Sequence, residues 1–313
     1  MMMKRITALI LITLAVNTVF PAGGSEGSEA EKGPVTVASK IDTEGALLGN
    51  MIMKILEANG FAVDNRTEFG PTDVVRKAII AGEIDIYPEY TGNGGFFFSD
   101  TPSDVWKDRE AGYELVKKLD LEQNNLVWLQ PAPANNTWAI AIRRDIADPK
   151  GLNSLDDLAD YINSGGKFKI AGSEEFATRP DALPAFEKAY GFSLSENQML
   201  ILSGGNTATT EQAASRGTSG VNAAMAYGTD GQLAALGLVV MEDSRGVQPV
   251  YEPAPIIRKE VLDRYPEIAD LLNPIFSKLD LLTLQKLNAR IAVEGMSAET
   301  VAEDWLTDSG FLE

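Results

Sequence analysis

From Pro34 onward, short apolar runs alternate with segments of helical periodicity. "VTVAS" (35–39) reads as a strand. After it, Leu47, Leu48, Met51, Ile52, Ile55 and Leu56 recur at helical spacing, with Thr43 placed to cap the helix and Asn59-Gly60 to end it. "FAVDNRT" predicts a second strand, "DVVRKAIIA" a helix capped by Thr72 and stopped by Gly82, and "IDIY" (84–87) a third strand. That β-α-β-α-β run is the pattern of a mostly parallel sheet covered on both faces.

The alternation then repeats without repeating the sequence. "NTWAIAI" (136–142), "FKIAG" (168–172) and "AAMAY" (223–227) predict strands. Ser154 caps "LDDLADYI", and "RPDALPAFEKAYG" and "TTEQAASRG" predict helices, with Thr229 placed to cap "DGQLAALG". From about Leu262 the tail is mainly helical. Two α/β units joined by short connectors predict a two-lobed protein with a site beyond the carboxyl ends of strands.

The N-terminus reads as an export signal: Lys4 and Arg5, then an apolar stretch from Ile6 to Val16 that is short for a bilayer span, then Ala22-Gly23-Gly24. The expected division is a signal peptide over 1–24, a disordered leader over 25–33, a first lobe over 34–135, a second over 136–231, and a return to the first over 232–313. The product is expected to be periplasmic or extracellular and monomeric. An uncleaved membrane anchor is the competing reading of the first 24 residues.

Composition narrows the chemistry. The 313 residues include no cysteine and no histidine, which excludes disulfides, thiolate ligands, a cysteine lipid anchor, a Ser-His-Asp triad and histidine-metal ligation. No metal motif is present and no cofactor is expected. A formal charge of −18 disfavours nucleic acid and anionic membranes as partners. An exported enzyme would have to rely on carboxylates such as Glu89 or Asp85.

Four aromatics stand near turns or strand ends in polar company: Tyr90 in "PEYTG", Trp138 in "NNTWAI", Tyr227 in "MAYGTD" and Tyr251 in "PVYEPAP". Their electron-rich faces suit a quaternary ammonium, which has no N–H to donate. Core packing is the alternative for each. Lys40 and Arg179 are candidate partners for a carboxylate, or else surface cations paired with neighbouring acids. Glu89 reads as a solvated or N–H-satisfied loop carboxylate, and Pro88 as stiffening a turn.

The segments "GEIDIYPEYTG", "ASKIDTEGALLGNM", "NNTWAIAI", "FATRPDAL", "AYGTDGQL" and "APIIRKEVL" occur in an order and spacing that resemble the solute-binding proteins of osmoprotectant ABC importers, the glycine betaine/carnitine/choline-binding family. The resemblance spans about residues 34–310. It implies a two-lobed, type II-like periplasmic-binding-protein fold with two mostly parallel sheets and the ligand in the interlobe cleft. It implies a quaternary ammonium ligand, delivery to a membrane permease powered by a separate ATPase, and no covalent chemistry. Carried over by motif, it assigns Tyr90, Trp138, Tyr227 and Tyr251 to an aromatic box, Lys40 and Arg179 to the ligand carboxylate, and Asn136 to the vicinity of the cation. Trp138 replaces a usual tyrosine. Asn93 stands where a carboxylate-holding threonine is frequent. Choline or another amine lacking a carboxylate is the alternative ligand.

Overall fold

The computed structural model describes residues 32–202 and 206–312. The expected signal segment and most of the expected leader therefore lie outside the described residues. Lys32 and Gly33, assigned above to the leader, already belong to the first strand.

Among the described residues, ten strands form two five-stranded sheets. They are β1 (Lys32–Lys40), β2 (Phe61–Gly70), β3 (Ile86–Tyr90), β4 (Leu126–Trp128), β5 (Trp138–Arg143), β6 (Ile170–Gly172), β7 (Met199–Ile201), β8 (Ala223–Tyr227), β9 (Leu238–Val240) and β10 (Pro253–Arg258). The first sheet has the order β2-β1-β3-β10-β4 and the second β7-β6-β8-β5-β9. The architecture is the expected two-lobed α/β fold, and each sheet is mostly parallel with one antiparallel member: four of its five strands share one direction. The strand that arrives from the other lobe, β10 or β5, is antiparallel to its neighbours on both sides. These two strands begin at the cleft, where β3 and β8 end. Register makes this concrete: Tyr90 faces Pro253, and Trp138 faces Tyr227.

Proline placement supports that register. Pro88 lies inside β3 opposite Pro255, so the "YPEY" segment is strand and not the turn expected from its proline. Two residues without an N–H can face each other in an antiparallel ladder only where neither must donate. Pro253, two residues before Pro255, repeats the same parity, and the Tyr90 amide turns to the Glu89 carboxylate instead (2.7 Å).

Helix Thr43–Ala58 buries all six of the apolar residues expected from its spacing. It is covered twice, by the first sheet and by helices Leu281–Ala292 and Ala298–Asp308, whose Leu284, Leu287, Val301 and Leu306 join the same core. Its cap is Asp42, which accepts from the Gly45 amide at 2.8 Å, rather than Thr43. Helix Thr72–Ala81 begins after Pro71 without a side-chain cap, whereas the Ser154 capping box forms as expected. Thr229 caps nothing; the short helix Gln232–Ala235 starts from Gly231.

The expected return to the first lobe at residue 232 is too early. β9 pairs with β5, the Met241 amide donates to Ile140 O (2.9 Å), and Val247 packs on the second lobe's core. The chain recrosses between Gln248 and Glu252. There it meets the first crossover, with the Tyr251 amide on Asn135 Oδ1 (2.8 Å) and the Asn136 amide on Tyr251 O (2.9 Å). Helix Leu281–Ala292 then rests on the 228–231 loop: Gln285 Nε2 donates to Gly228 O (2.7 Å) and Asn288 Nδ2 to Thr229 O (3.0 Å).

Candidate ligand-binding site

The strand ends of both sheets and the two crossovers enclose a cavity of about 940 Å³. Lys40, Tyr90, Asn93, Asn136, Trp138, Arg179, Tyr227 and Tyr251, the eight residues singled out in the sequence, all line it. Residues so far apart in the chain meet because of the topology: every contributing strand either ends or begins at the cleft.

On the first lobe's side, Lys40 closes β1. Its ammonium lies 2.5 Å from Glu89 Oε1 and 4.5 Å from the centroid of the Tyr90 ring. Glu89 is fully buried inside β3. It accepts from the Tyr87 hydroxyl (2.8 Å), the Tyr90 amide (2.7 Å) and Asn93 Nδ2 (2.7 Å). Of the two readings of Glu89, the satisfied carboxylate is right, but neither as a loop residue nor in solvent. A carboxylate this enclosed needs its cation and donors. Asn93 thus spends its amide N–H on Glu89 while still facing the cavity. Tyr87 is a buried strand residue that braces Glu89. Gly92 matters sterically: a Cβ there would come within 2.8 Å of Tyr251 Cδ1, so the tyrosine ring packs where a side chain is missing.

One residue of this wall was not singled out in the sequence. Glu44, in the first turn of helix Thr43–Ala58, is 5% exposed and lines the cavity. Its Oε1 accepts from the Tyr90 hydroxyl (2.7 Å) and Asn136 Nδ2 (3.1 Å), and its Oε2 from Asn288 Nδ2 (2.7 Å). Burial raises its carboxyl above the ordinary range, against the pull of the hydrogen bonds from Thr229, Tyr90 and Asn288. Burial and the Glu44 charge in turn push the Tyr90 phenol well above its usual range, which keeps the hydroxyl a donor. An acidic residue early in a helix normally signals only a favourable dipole interaction, so the sequence offered no separate mark for it.

On the second lobe's side, Trp138 and Tyr227 are direct cross-strand partners and so project from the same face of the sheet. Their rings are nearly parallel, 5° apart in plane with centroids 6.4 Å apart. Phe176 meets Trp138 edge-on at 5.9 Å. Tyr227 is the most open of the four aromatics at 37% exposure. Arg179 lies 4.6 Å from the Trp138 centroid. It is held by Asp181 (Nε 2.8 Å, Nη2 2.6 Å) and by Glu175 (Nη1 2.7 Å). It sits at the end of helix Glu174–Thr178, not at the start of the next helix as expected. Pro180 explains this, because a residue before proline avoids helical backbone. The carboxylates keep the Arg179 guanidinium charged, with Asp181 the largest influence.

Behind Tyr227 lies an acid pair. Asp230 Oδ2 accepts from the Tyr227 amide (2.6 Å), and Asp230 faces Glu211. Burial first, and Asp230 second, push the Glu211 carboxyl up to about 10. The pair therefore retains a proton at neutral pH.

The cavity lining thus holds five aromatic side chains, Phe96 beside Tyr90, Trp138, Tyr227 and Tyr251, with two cations already paired with acids and five carboxylates. A desolvated aromatic site of this kind favours an organic cation over a neutral or purely anionic molecule. Among the described residues, no group of three potential metal-binding side chains occurs.

Three comparisons fit this geometry. Residues 33–308 match the family model described as the substrate-binding domain of the ABC-type glycine betaine transport system. The chain is 59% identical, over 90% of its length and 92% of the relative's, to the glycine betaine-binding protein YehZ of Escherichia coli. It is 33% identical, over 96% of its length and 94% of the relative's, to a glycine-betaine-binding protein of Pseudomonas aeruginosa. Among solved structures, apo YehZ from Escherichia coli superposes with a TM-score of 0.82, covering 89% of this chain and 99% of that one.

Proposed function

The chain belongs to the family of substrate-binding domains of ABC-type glycine betaine transport systems, and on that premise we propose that its interlobe cavity binds glycine betaine or a close trimethylammonium relative. It is a solute-binding protein and not an enzyme. Trp138, Tyr90, Tyr227 and Tyr251 supply the faces that surround the ammonium, and Arg179 supplies the fork that takes the ligand's carboxylate, with Lys40 beside it. The observation that carries this reading is that eight residues distant in sequence line one cavity, with each of two cations standing over an aromatic ring. Such a cation occupies the kind of position a ligand's ammonium would take.

The ligand works by touching both lobes at once. Tyr90 and Lys40 belong to one lobe, and Trp138, Arg179 and Tyr227 to the other. A molecule that bridges them favours the closed arrangement by as much as it binds that arrangement more tightly than the open one. The closed, loaded protein then docks on a membrane permease. We read the protein as exported and acting as a monomer.

Choline satisfies the aromatic faces alone and leaves Arg179 to its own acids. Competition between glycine betaine and choline on the wild-type protein and Arg179→Ala tests the reading. Glycine betaine is expected to bind more tightly to the wild type, with a smaller margin in the variant. Tighter choline binding by the wild type would assign the cavity to an amine without a carboxylate.

A further inference from the structure

The Lys40–Glu89 pair and the Arg179 cluster account for most of the buried charge around the cavity, but they leave Glu44 without a counter-ion. Its partners are the Tyr90 hydroxyl, two amide nitrogens and the Thr229 hydroxyl, all neutral donors. Glu89, Glu175 and Asp181 each face a cation. The same corner holds two more electron-rich ends. Asn136 and Asn288 both donate through Nδ2 to Glu44, and both leave Oδ1 buried with no partner. Asn288 is 6% exposed and, like Asn136, lines the cavity. Buried amide oxygens are seldom left unpaired.

We propose that Glu44, with the two asparagine oxygens it orients, is the charge-selecting element of the site: it makes the cavity discriminate a cationic head group from a neutral one of identical shape. The proposal rests on the reading of the cavity as a quaternary ammonium site. Two routes carry the effect. The first is the field of a buried carboxylate in a poorly screened corner. The second runs through Tyr90. A phenol that donates to a carboxylate is polarised towards its ring, and polarised hydrogen bonds reinforce one another, which strengthens the ring's attraction for a cation. The unpaired amide oxygens suit the methyl groups of an ammonium, whose hydrogens carry its positive charge and make weak C–H···O contacts. Glu44 does not need to touch the ligand; it positions Tyr90, Asn136 and Asn288 and supplies the charge they transmit.

The test uses a pair of ligands. Glycine betaine and 3,3-dimethylbutanoate share shape and carboxylate, and differ in having nitrogen or carbon at the branched centre. Calorimetric titration of both into the wild type and Glu44→Gln reads the ratio of their affinities. Glu44→Gln is expected to weaken glycine betaine by about tenfold, the scale of one partly desolvated charge interaction, and to leave the isostere unchanged. An unchanged ratio overturns the proposal, because a merely structural Glu44 would weaken both ligands together. A wild type that binds neither molecule overturns the functional reading and the proposal with it.

A measurement on the unaltered protein stands beside it in case the variant does not fold. Burial holds the Glu44 carboxyl above the ordinary range, so acidification neutralises it. As the pH is lowered from neutral towards about 6, still above the range in which the isostere's own aliphatic carboxyl takes up a proton, glycine betaine affinity is expected to fall while that of the isostere does not. The ionisable groups around this corner are Asp42 at the cap of the same helix, Tyr90 from β3, Lys40 from β1 and Asp230 beside Thr229; Asn136 and Asn288 are neutral. Parallel pH profiles for the two ligands would count against Glu44 as the selecting charge.

Discussion

The guanidinium of Arg179 lies 4.6 Å from the centroid of the Trp138 ring, held there by Asp181 and Glu175. An ammonium ligand competes for the same aromatic surface, and a ligand that also carries a carboxylate gives the displaced arginine a new partner. Removing the ring should therefore weaken binding while leaving the fold intact. Trp138→Ala is expected to lose ~1–2 kcal/mol of glycine betaine affinity, the range for a partly desolvated cation–π contact. Trp138→Tyr is expected to bind nearly as well as the wild type. Calorimetric titration of the two variants reads both numbers, and an alanine variant of unchanged affinity would remove Trp138 from the site.

Lys40 and Glu89 form a buried ion pair beneath Tyr90. Removing one partner strands the other charge. Lys40→Met is expected to destabilise the protein by ~3–5 kcal/mol, and the double variant Lys40→Met/Glu89→Gln to recover most of that loss. Denaturant unfolding of both proteins measures it. A single variant as stable as the wild type would mean that Glu89 is not held by Lys40 in solution.

The buried Glu211 faces Asp230, and its carboxyl is pushed up to about 10 by burial and by that neighbour. The folded state therefore holds a proton that the unfolded chain, with an ordinary glutamate, releases near pH 4.5. Stability from this group is present at low pH and declines as pH rises from that value through the raised one. Glu211→Gln removes the dependence. It is expected to raise the melting temperature more at alkaline than at acidic pH, and an equal effect at both would place the proton elsewhere.

Gly231 lies against the backbone of helix Leu281–Ala292, where a Cβ would overlap the Asn288–Ala289 peptide. Its φ of −71° is accessible to any residue, so the requirement is purely steric. Gly231→Ala is expected to cost ~1–3 kcal/mol in stability. By displacing Asn288 from Glu44, it is also expected to lower glycine betaine affinity. Thermal melts and titration of the one variant test both effects.

Much of this arrangement was legible in local pattern. The periodic residues of helix Thr43–Ala58 are its buried residues, and Tyr90, Trp138 and Tyr227 stand at strand termini as their motifs suggested. What escaped was set by partners far away in sequence. β3 runs through Pro88 because Pro255 lies opposite, and the antiparallel direction of β5 and β10 follows from where the crossovers deliver them. β9 stays in the second lobe because β5 offers it an edge, which no local signal near residue 232 announces. Arg179 ends a helix instead of starting one, an outcome readable from Pro180. Glu44 looked like an ordinary first-turn acid; only the convergence of Tyr90, Asn136 and Asn288 on it reveals a further role.

The claim that a quaternary ammonium sits against Trp138 in this cleft has a direct optical test. Trp106, Trp128 and Trp305 lie outside the cavity lining, so Trp138 is the tryptophan placed to report its occupancy. Glycine betaine titrated into the wild type should produce a saturable change in tryptophan emission. In Trp138→Tyr that change should vanish while calorimetry still records binding. Binding heats in both proteins with the same emission change in each would place the ligand away from Trp138, and the absence of saturable binding to the wild type would contradict the account at its centre.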